Sequence, residues 1–273
     1  YNFRYSRQWY GDFLAQLGSL WVGESRVHEL CDRFGYETVK GCFKKALDYG
    51  DRMMTEEIRK LPSITVEEEM IGEKLDKFCP DGLKLKMKLS VDPDNAIITF
   101  DYREMPDQFP FGYNLTYAMA ISSAIVGTLP ILPPEIPLND GAFSHIKVLL
   151  REGSIAGIPL WPVGTSEATT AICDQITNLV FKTWGKAVPD RSLAGMGEYS
   201  AVNESGAGFD YRKNEPYSHM FYLCASAAGA TKDYDGLSHM FGHCIMGNMA
   251  YESIEIYELV VPHIVWSTHA VID

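Results

Sequence analysis

The sequence has no excess of positive charge. Its 24 lysines and arginines are outnumbered by 36 aspartates and glutamates, for a formal net charge of −12. Phosphate backbones need a basic face, so this balance argues against a nucleic-acid partner. There is no CxxC pair either. Cys31, Cys42, Cys79, Cys173, Cys224 and Cys244 lie far apart, and they read as reduced core residues of a cytosolic protein rather than a disulfide framework. No apolar run is long enough for a membrane span. The nearest, Leu115–Leu132, is interrupted by Ser122, Ser123, Gly127 and Pro130. No signal peptide opens the chain, which begins with Tyr1 rather than methionine. An internal piece of a longer cytoplasmic polypeptide is therefore expected. Walker loop, GxGxxG fingerprint and GxSxG elbow are all missing, so the sequence offers no recognisable nucleotide cradle and no serine-hydrolase nucleophile. Internal repeats and low-complexity tracts are missing as well.

What remains is organised around Leu160–Tyr211. Ala168, Ile172, Ile176, Leu179 and Val180 recur at helical spacing, with Asp174, Gln175, Asn178 and Lys182 on the opposite face. The pattern predicts a helix over 166–184, capped by Thr165 or Ser166, stopped by Gly185 and kept from restarting by Pro189. Small residues then crowd together at Gly195–Gly197 and Ser205–Gly208. Such density suits close backbone approach to a ligand or to another strand, and a pair of glycine turns would account for it equally.

Residues 1–62 read as a helical region. Trp9, Phe13, Leu14 and Leu17 share one face until Gly18 or Gly23 breaks the pattern. A short helix follows over Glu24–Phe34, closed by Gly35, and a longer one runs from Val39 to Ile58 with Gly50 inside it as the mark of a bend. The dense aromatics Tyr1, Phe3, Tyr5, Trp9 and Tyr10 suit an interface with other subunits. Residues 63–128 form a hairpin and helix region. Ile64–Met70 reads as a strand, Leu83–Val91 alternates with Lys84, Lys86 and Lys88, and Asp92–Asn95 is turn chemistry ahead of a partner strand over Ile97–Tyr102. A helix over Asn114–Thr128 ends at the proline-rich connector 129–137. Residues 129–273 form a mixed region around helix 166–184, with strands at Ile146–Leu150 and Ile254–Val261. The fold class expected is α+β.

One constellation could carry chemistry. His239 and His243, four apart in Ser238–His243, would share a face on a helix, as metal ligands do. No glutamate lies between them, Gly242 and Gly247 disfavour a helix, and nothing selects a third ligand among His219, Glu198 and Asp233. Metal ligation, polar lining of a site and purely structural roles all stay open. If the glycine-rich stretch and the 239–248 segment meet, Asn203, Glu204, His239 and His243 line one cavity. Glu204 and either histidine could then exchange protons near neutral pH.

Several phrases resemble the hydantoinase B family. They include Val22-Gly23-Glu24 with Leu30, Phe34-Gly35, Thr38-Val39 and Asp48-Tyr49. They also include Asp101, Gln108 and Asn114 (with Gly112 one place late), Ile136–Gly141 and Glu152-Gly153-Ser154. His243, Asn248, Glu255 and Glu258 match its last segment. Within that family, the stretches 164–176, 194–208 and 236–253 are most similar to the alpha subunit of acetone carboxylase. The resemblance implies an ATP-dependent enzyme that converts acetone and bicarbonate to acetoacetate. It also implies a hydantoinase A-like partner subunit that binds ATP, a small third subunit, and manganese held by residues outside this segment. Related members act on acetophenone or open hydantoins and lactams, and a non-catalytic scaffold role stands beside them. The resemblance assigns no metal ligand to these residues.

Overall fold

The computed structural model describes residues 6–166, 168–196, 203–222, 225–226, 228–237, 240–241 and 259. Helices and mixed strands give an α+β architecture. Two compact units form: the chain up to Met54 with Ile136–Ser144, and Thr55–Glu135 with the chain from His145 onward.

Two long helices dominate the first unit, α1 over Ser6–Phe34 and α2 over Tyr36–Ile58, the last turn of α2 being counted with the second. Contrary to the sequence pattern, α1 runs straight through Gly18 and Gly23. A glycine costs only about 1 kcal/mol in a helix interior, too little to end so long a run. The break comes at Gly35, whose φ of +85° disfavours any side chain. Its N–H closes the helix on the Cys31 carbonyl at 2.7 Å. Gly50 lies within α2 for a packing reason, since a Cβ there would sit 2.3 Å from Asn139 Oδ1. Asn139 caps the short helix α4 (Asp140–Phe143) by accepting from Ala142 N at 3.1 Å, and its Nδ2 donates to the Ala46 carbonyl at 2.9 Å. Trp9 stacks on Phe13 at 5.6 Å. Trp9 and Tyr10 are 42% and 57% exposed, as an interface would require; Tyr1, Phe3 and Tyr5 lie outside the described residues.

The second unit is built on a four-stranded sheet in the order β1–β2–β3–β4, over Ile64–Ile71, Lys84–Asp92, Ile97–Asp101 and Ile146–Leu149. β1–β2 and β2–β3 are antiparallel and β3–β4 parallel. Strict alternation places Leu85, Met87, Leu89 and Val91 in the core. Asp92 shapes the hairpin by accepting from Asn95 N at 3.1 Å and Asn95 Nδ2 at 2.7 Å. Two helices cover the inner face. α3 (Tyr117–Thr128) starts three residues later than expected, because Thr116 is the cap and accepts from Met119 N at 3.2 Å. α5 spans Cys173–Ala187 and is entered through a π-turn at Ala168–Ile172. The start is thus a wide turn rather than a Thr165 or Ser166 cap, and Gly185 does not stop the helix, which ends just before Val188 and Pro189. Trp184 fills the centre, 1% exposed and edge-on to Phe100 at 6.2 Å, with its Nε1 donating to Thr128 Oγ1 at 3.2 Å. α3 and α5 touch closely at Gly127, where a Cβ would lie 2.4 Å from Val180 Cγ1.

The second cluster of small residues, Ser205–Gly208, lies in a strand rather than a turn. β5 (Asn203–Asp210) pairs antiparallel with β6 (Glu215–Tyr222), and β7 (Ala225–Ser226) with β8 (Met240–Phe241). Tyr217 packs beside Gly208, where a Cβ would approach its ring to 2.8 Å, so an aromatic occupies the space the missing side chain leaves. At the hairpin end Asp210 accepts from Arg212 N at 2.9 Å and from its guanidinium at 3.0 Å. These bonds outweigh the effect of burial and hold the Asp210 carboxyl down to about 2. Among the described cysteines only Cys173 is a core residue. Cys31 on α1 and Cys79 in the connection between β1 and β2 are half-buried, and Cys42 on α2 is exposed. The strand expected over Ile254–Val261 lies outside the described residues, Leu259 apart.

An inward-facing carboxylate ties β1 to α5. Glu68 is 7% exposed and pairs with Lys182 at 2.9 Å and with Lys186. Glu57, equally buried, pairs with Lys60 at 2.7 Å and with Arg191. Burial pushes both carboxyls up. Hydrogen bonds from Lys60 and Arg191, and from Lys186 and Lys182, outweigh it, so both lie below the ordinary 4.5. A group lowered in this way stabilises the fold above its unfolded pKa and loses that contribution as pH falls through its folded value. Glu68→Gln is expected to cost about 1–2 kcal/mol at pH 7, a modest figure because both lysines are half-exposed. The variant should also lose less stability than the parent when pH drops below 4.5. Urea titrations of both proteins at neutral and acid pH check this; identical pH dependence would rule out the Glu68 tether.

Candidate functional site

Loops gather around the entrance of α5. Asn114 is fully buried and organises them. Its Oδ1 accepts from Phe109 N at 2.8 Å, and its Nδ2 faces the carbonyls of Phe109, Phe111 and Gly164 at 3.0, 2.7 and 2.9 Å. Gln108 does the same for the next loop, donating to Leu160 O at 3.1 Å and accepting from Leu160 N at 2.7 Å. Gly112 leaves no room for a side chain, since a Cβ would lie 1.9 Å from Ser166 Oγ. Loops 108–114 and 160–166 are thereby welded together immediately before the π-turn. Interruptions of this kind often mark functional sites.

The polar residues of α5 face inward. Asp174, Gln175, Thr177 and Asn178 are all buried, and only Lys182 of the expected wet face is exposed. The sequence pattern read these side chains as solvated because an amide looks the same whether water or a loop is its partner. Gln175 Nε2 donates to Tyr113 Oη at 2.6 Å, and that hydroxyl donates to Glu73 Oε2 at 2.7 Å. The Gln175 carbonyl accepts from Glu73 N at 3.3 Å and fills the space a Cβ would need at Gly72. Beside this chain, Phe109 stacks on Phe111 at 5.2 Å and Phe78 meets Phe111 at 4.8 Å. One turn further along α5, Asn178 grips the backbone of Met196. From one rigid helix, then, two carboxamides hold two groups of loops.

Of the four residues expected to line one cavity, Asn203 and Glu204 open β5 opposite Tyr222 and Phe221. His239 and His243 lie outside the described residues, and with them the shared cavity. The head of the glycine-rich stretch lies against 228–230, where Ala194 N donates to Ala230 O at 2.9 Å. Asp233 is exposed in the following loop, and His219 pairs with Gly206 on the β5–β6 ladder. Among the described residues no group of three or more histidine, cysteine, aspartate or glutamate side chains is placed to hold a metal ion. None of the described helices is long and apolar enough to cross a membrane.

The fold has counterparts among known proteins. The chain belongs to the hydantoinase B/oxoprolinase family, whose description matches residues 1–273. It is 28% identical to caprolactamase subunit beta of Pseudomonas jessenii over 258 residues, covering 92% of this chain and 43% of that one. A 5-oxoprolinase of Dictyostelium discoideum is 20% identical over 257 residues, covering 93% and 19%. The crystal structure of the ATP-dependent caprolactamase from Pseudomonas jessenii superposes with a TM-score of 0.79 at 26% identity, over 92% of this chain and 43% of that one. The nucleotide-free acetone carboxylase, from work on ATP-dependent acetone carboxylation, shares the fold at a TM-score of 0.71 and 19% identity, over 86% and 33%. The chain spans less than half the length of each of these proteins.

The loop weld generates a first test of the site. Asn114→Ala strands the backbone groups that its side chain satisfies, and each such buried group costs about 1–3 kcal/mol. The expected loss is roughly 2–4 kcal/mol in total, because loops relax in part. Urea unfolding should show a lower midpoint at unchanged slope; an unshifted midpoint would mean that Asn114 does not hold these loops.

Proposed function

We propose that this chain is the central part of the B-type subunit of an ATP-dependent enzyme that opens a small cyclic amide. The observation that carries this reading is the paired likeness to caprolactamase, in sequence along 92% of the chain and in three dimensions at a TM-score of 0.79. Amide resonance protects a lactam carbonyl from water, and coupling to ATP supplies the driving force. In the balanced reaction one water adds across the C–N bond to give a carboxylate and an ammonium group (a ureido group from a hydantoin), and a second is consumed as ATP is cleaved to ADP and phosphate. The nucleotide is assigned to a hydantoinase A-like partner subunit, as the family resemblance implies. Any metal requirement is assigned to other parts of the full subunit.

Carboxylation of acetone with bicarbonate is the second reading. The stretches 164–176, 194–208 and 236–253 favour it, and a small third subunit belongs to it. Both readings share a carbonyl substrate that must be activated at the expense of ATP; the enolate of the second must in addition be shielded from water.

The two are separated with the assembled complex containing this chain. ADP release is measured with ε-caprolactam, 5-oxoproline or hydantoin, and with acetone plus bicarbonate. ADP and ring-opened amino acid in matching amounts are expected from a cyclic amide. Acetoacetate in place of an amino acid would establish the second reading, and ATP consumption with neither substrate would defeat both.

A further inference from the structure

Helix α1 is long and bare. At 29 residues it runs for about 43 Å, and from Trp9 to Thr38 no residue is buried. Ten of its large apolar side chains are 39–67% exposed. The five aromatic ones, Trp9, Tyr10, Phe13, Trp21 and Phe34, alone leave roughly 400–600 Å² open. That already matches the largest apolar patch on a typical monomer, before any aliphatic residue is added. At about 100° per residue the ten, Val22 apart, spread over roughly 200° of the helix circumference. This is about twice the stripe that a surface helix turns to one core. Such a helix takes most of its stability from packing, and Gly11, Gly18 and Gly23 weaken it by about 1 kcal/mol each relative to alanine. Beyond the helix itself, nothing in the chain lies within 4 Å of where a Cβ would stand on any of the three. Where α1 meets α2, Leu30, Phe34, Thr38, Val39, Cys42 and Phe43 line a cavity of about 300 Å³ whose wall carries no charged side chain.

Three arguments choose what covers this face. A second copy docked through α1 would cover one stripe and leave the other half of the arc in water. A partner that joins after folding would leave the whole arc in water until it arrived, at a patch size that monomers rarely carry. Relatives of this chain, by contrast, are more than twice its length: it spans 43% of caprolactamase subunit beta and 33% of the acetone carboxylase chain. We propose that α1 is a core helix of the full-length subunit: the part of that polypeptide outside residues 1–273 packs on its apolar arc from two sides and sets one large apolar side chain into the cavity between α1 and α2. The inference rests on the function proposed above only in taking this chain as the central part of a longer subunit.

The test uses the full-length subunit alone, without its partners, and reads no turnover. Amide hydrogen exchange over residues 9–34 is expected at least about hundredfold slower than in an unstructured chain, and unchanged by dilution. Cys42 is exposed in the span described and lines the cavity. Under the cover it is expected to react with iodoacetamide at least about hundredfold more slowly than a free thiol. Leu30→Asp sets a charge into the cavity wall and should speed that labelling about tenfold or more, while the amides of α5 keep their protection. Leu30→Ala gives a smaller change of the same sign and serves if the aspartate variant does not fold. Fast exchange over α1 with free labelling of Cys42 at every concentration overturns the proposal. So does protection that grows with subunit concentration, the mark of a second copy, or that comes only when the ATP-binding subunit is added. Labelling unmoved by either Leu30 variant overturns it as well. Failure of every cyclic amide in the turnover assay would strike the functional reading and leave these readouts as they are.

Discussion

Helical turns buried on every side, as Cys173–Phe181 of α5 are, must find partners for their polar side chains within the protein. α5 carries Asp174, Gln175, Thr177, Asn178 and Thr183 in that situation. Two of them solve the problem inside the helix: Thr177 and Thr183 donate to the carbonyls four residues back, at 2.8 and 2.7 Å. The carboxamides cannot, being too long and needing both donor and acceptor. They reach outward and take hold of loop backbone. A buried polar group without a partner costs about 1–3 kcal/mol, comparable to a large share of a domain's net stability. The same constraint that makes α5 expensive to bury therefore fixes the loops around it.

Close approach is the complement of that grip. Gly72 makes room for the Gln175 carbonyl, Gly112 for Ser166, and Gly127 for Val180. None of these three needs an unusual φ, so each is a matter of space rather than of backbone freedom. Gly127 sets how near α3 comes to α5. Gly72 and Gly112 set how near the loops come to the helix that holds them.

Strands β1 to β3 were legible in the sequence because alternation has one meaning: every second residue faces a core. Leu85, Met87, Leu89 and Val91 behaved accordingly. Helix ends were less legible. Gly18, Gly23 and Gly185 read as stops, yet a glycine ends a helix only where φ turns positive or the packing runs out, as at Gly35. The polar side of α5 was misread for a different reason. Periodicity assigns polar residues to water by default, and the partners of Gln175 and Asn178 lie 62 and 18 residues away. The composition did hold a hint: between Cys173 and Ala187 only Asp174, Lys182 and Lys186 carry charge, too few for a solvated face three turns long. The strand character of Asn203–Asp210 was hidden by its glycines, and the packing of Gly208 beside Tyr217 depends on a neighbour rather than on the segment itself. The family was legible in whole phrases; the cavity of Asn203, Glu204, His239 and His243 rests on residues partly outside those described.

The charges on the outer face of β1 and β2 bear on how the sheet avoids folding wrongly. Glu67 and Glu69 stand opposite Lys88 and Lys86. A slip of one residue would turn the whole apolar row toward water and is excluded at once. A slip of two is the dangerous error, because it sets Glu67 against Lys86 and Glu69 against Lys84, and the outer face still matches. Glu68 breaks that degeneracy. Two positions along a strand is about 7 Å, which would carry its carboxylate away from Lys182 and Lys186 and leave it in the core without a cation. One inward glutamate thus works as a proofreading device, making the near-perfect alternative the costly one.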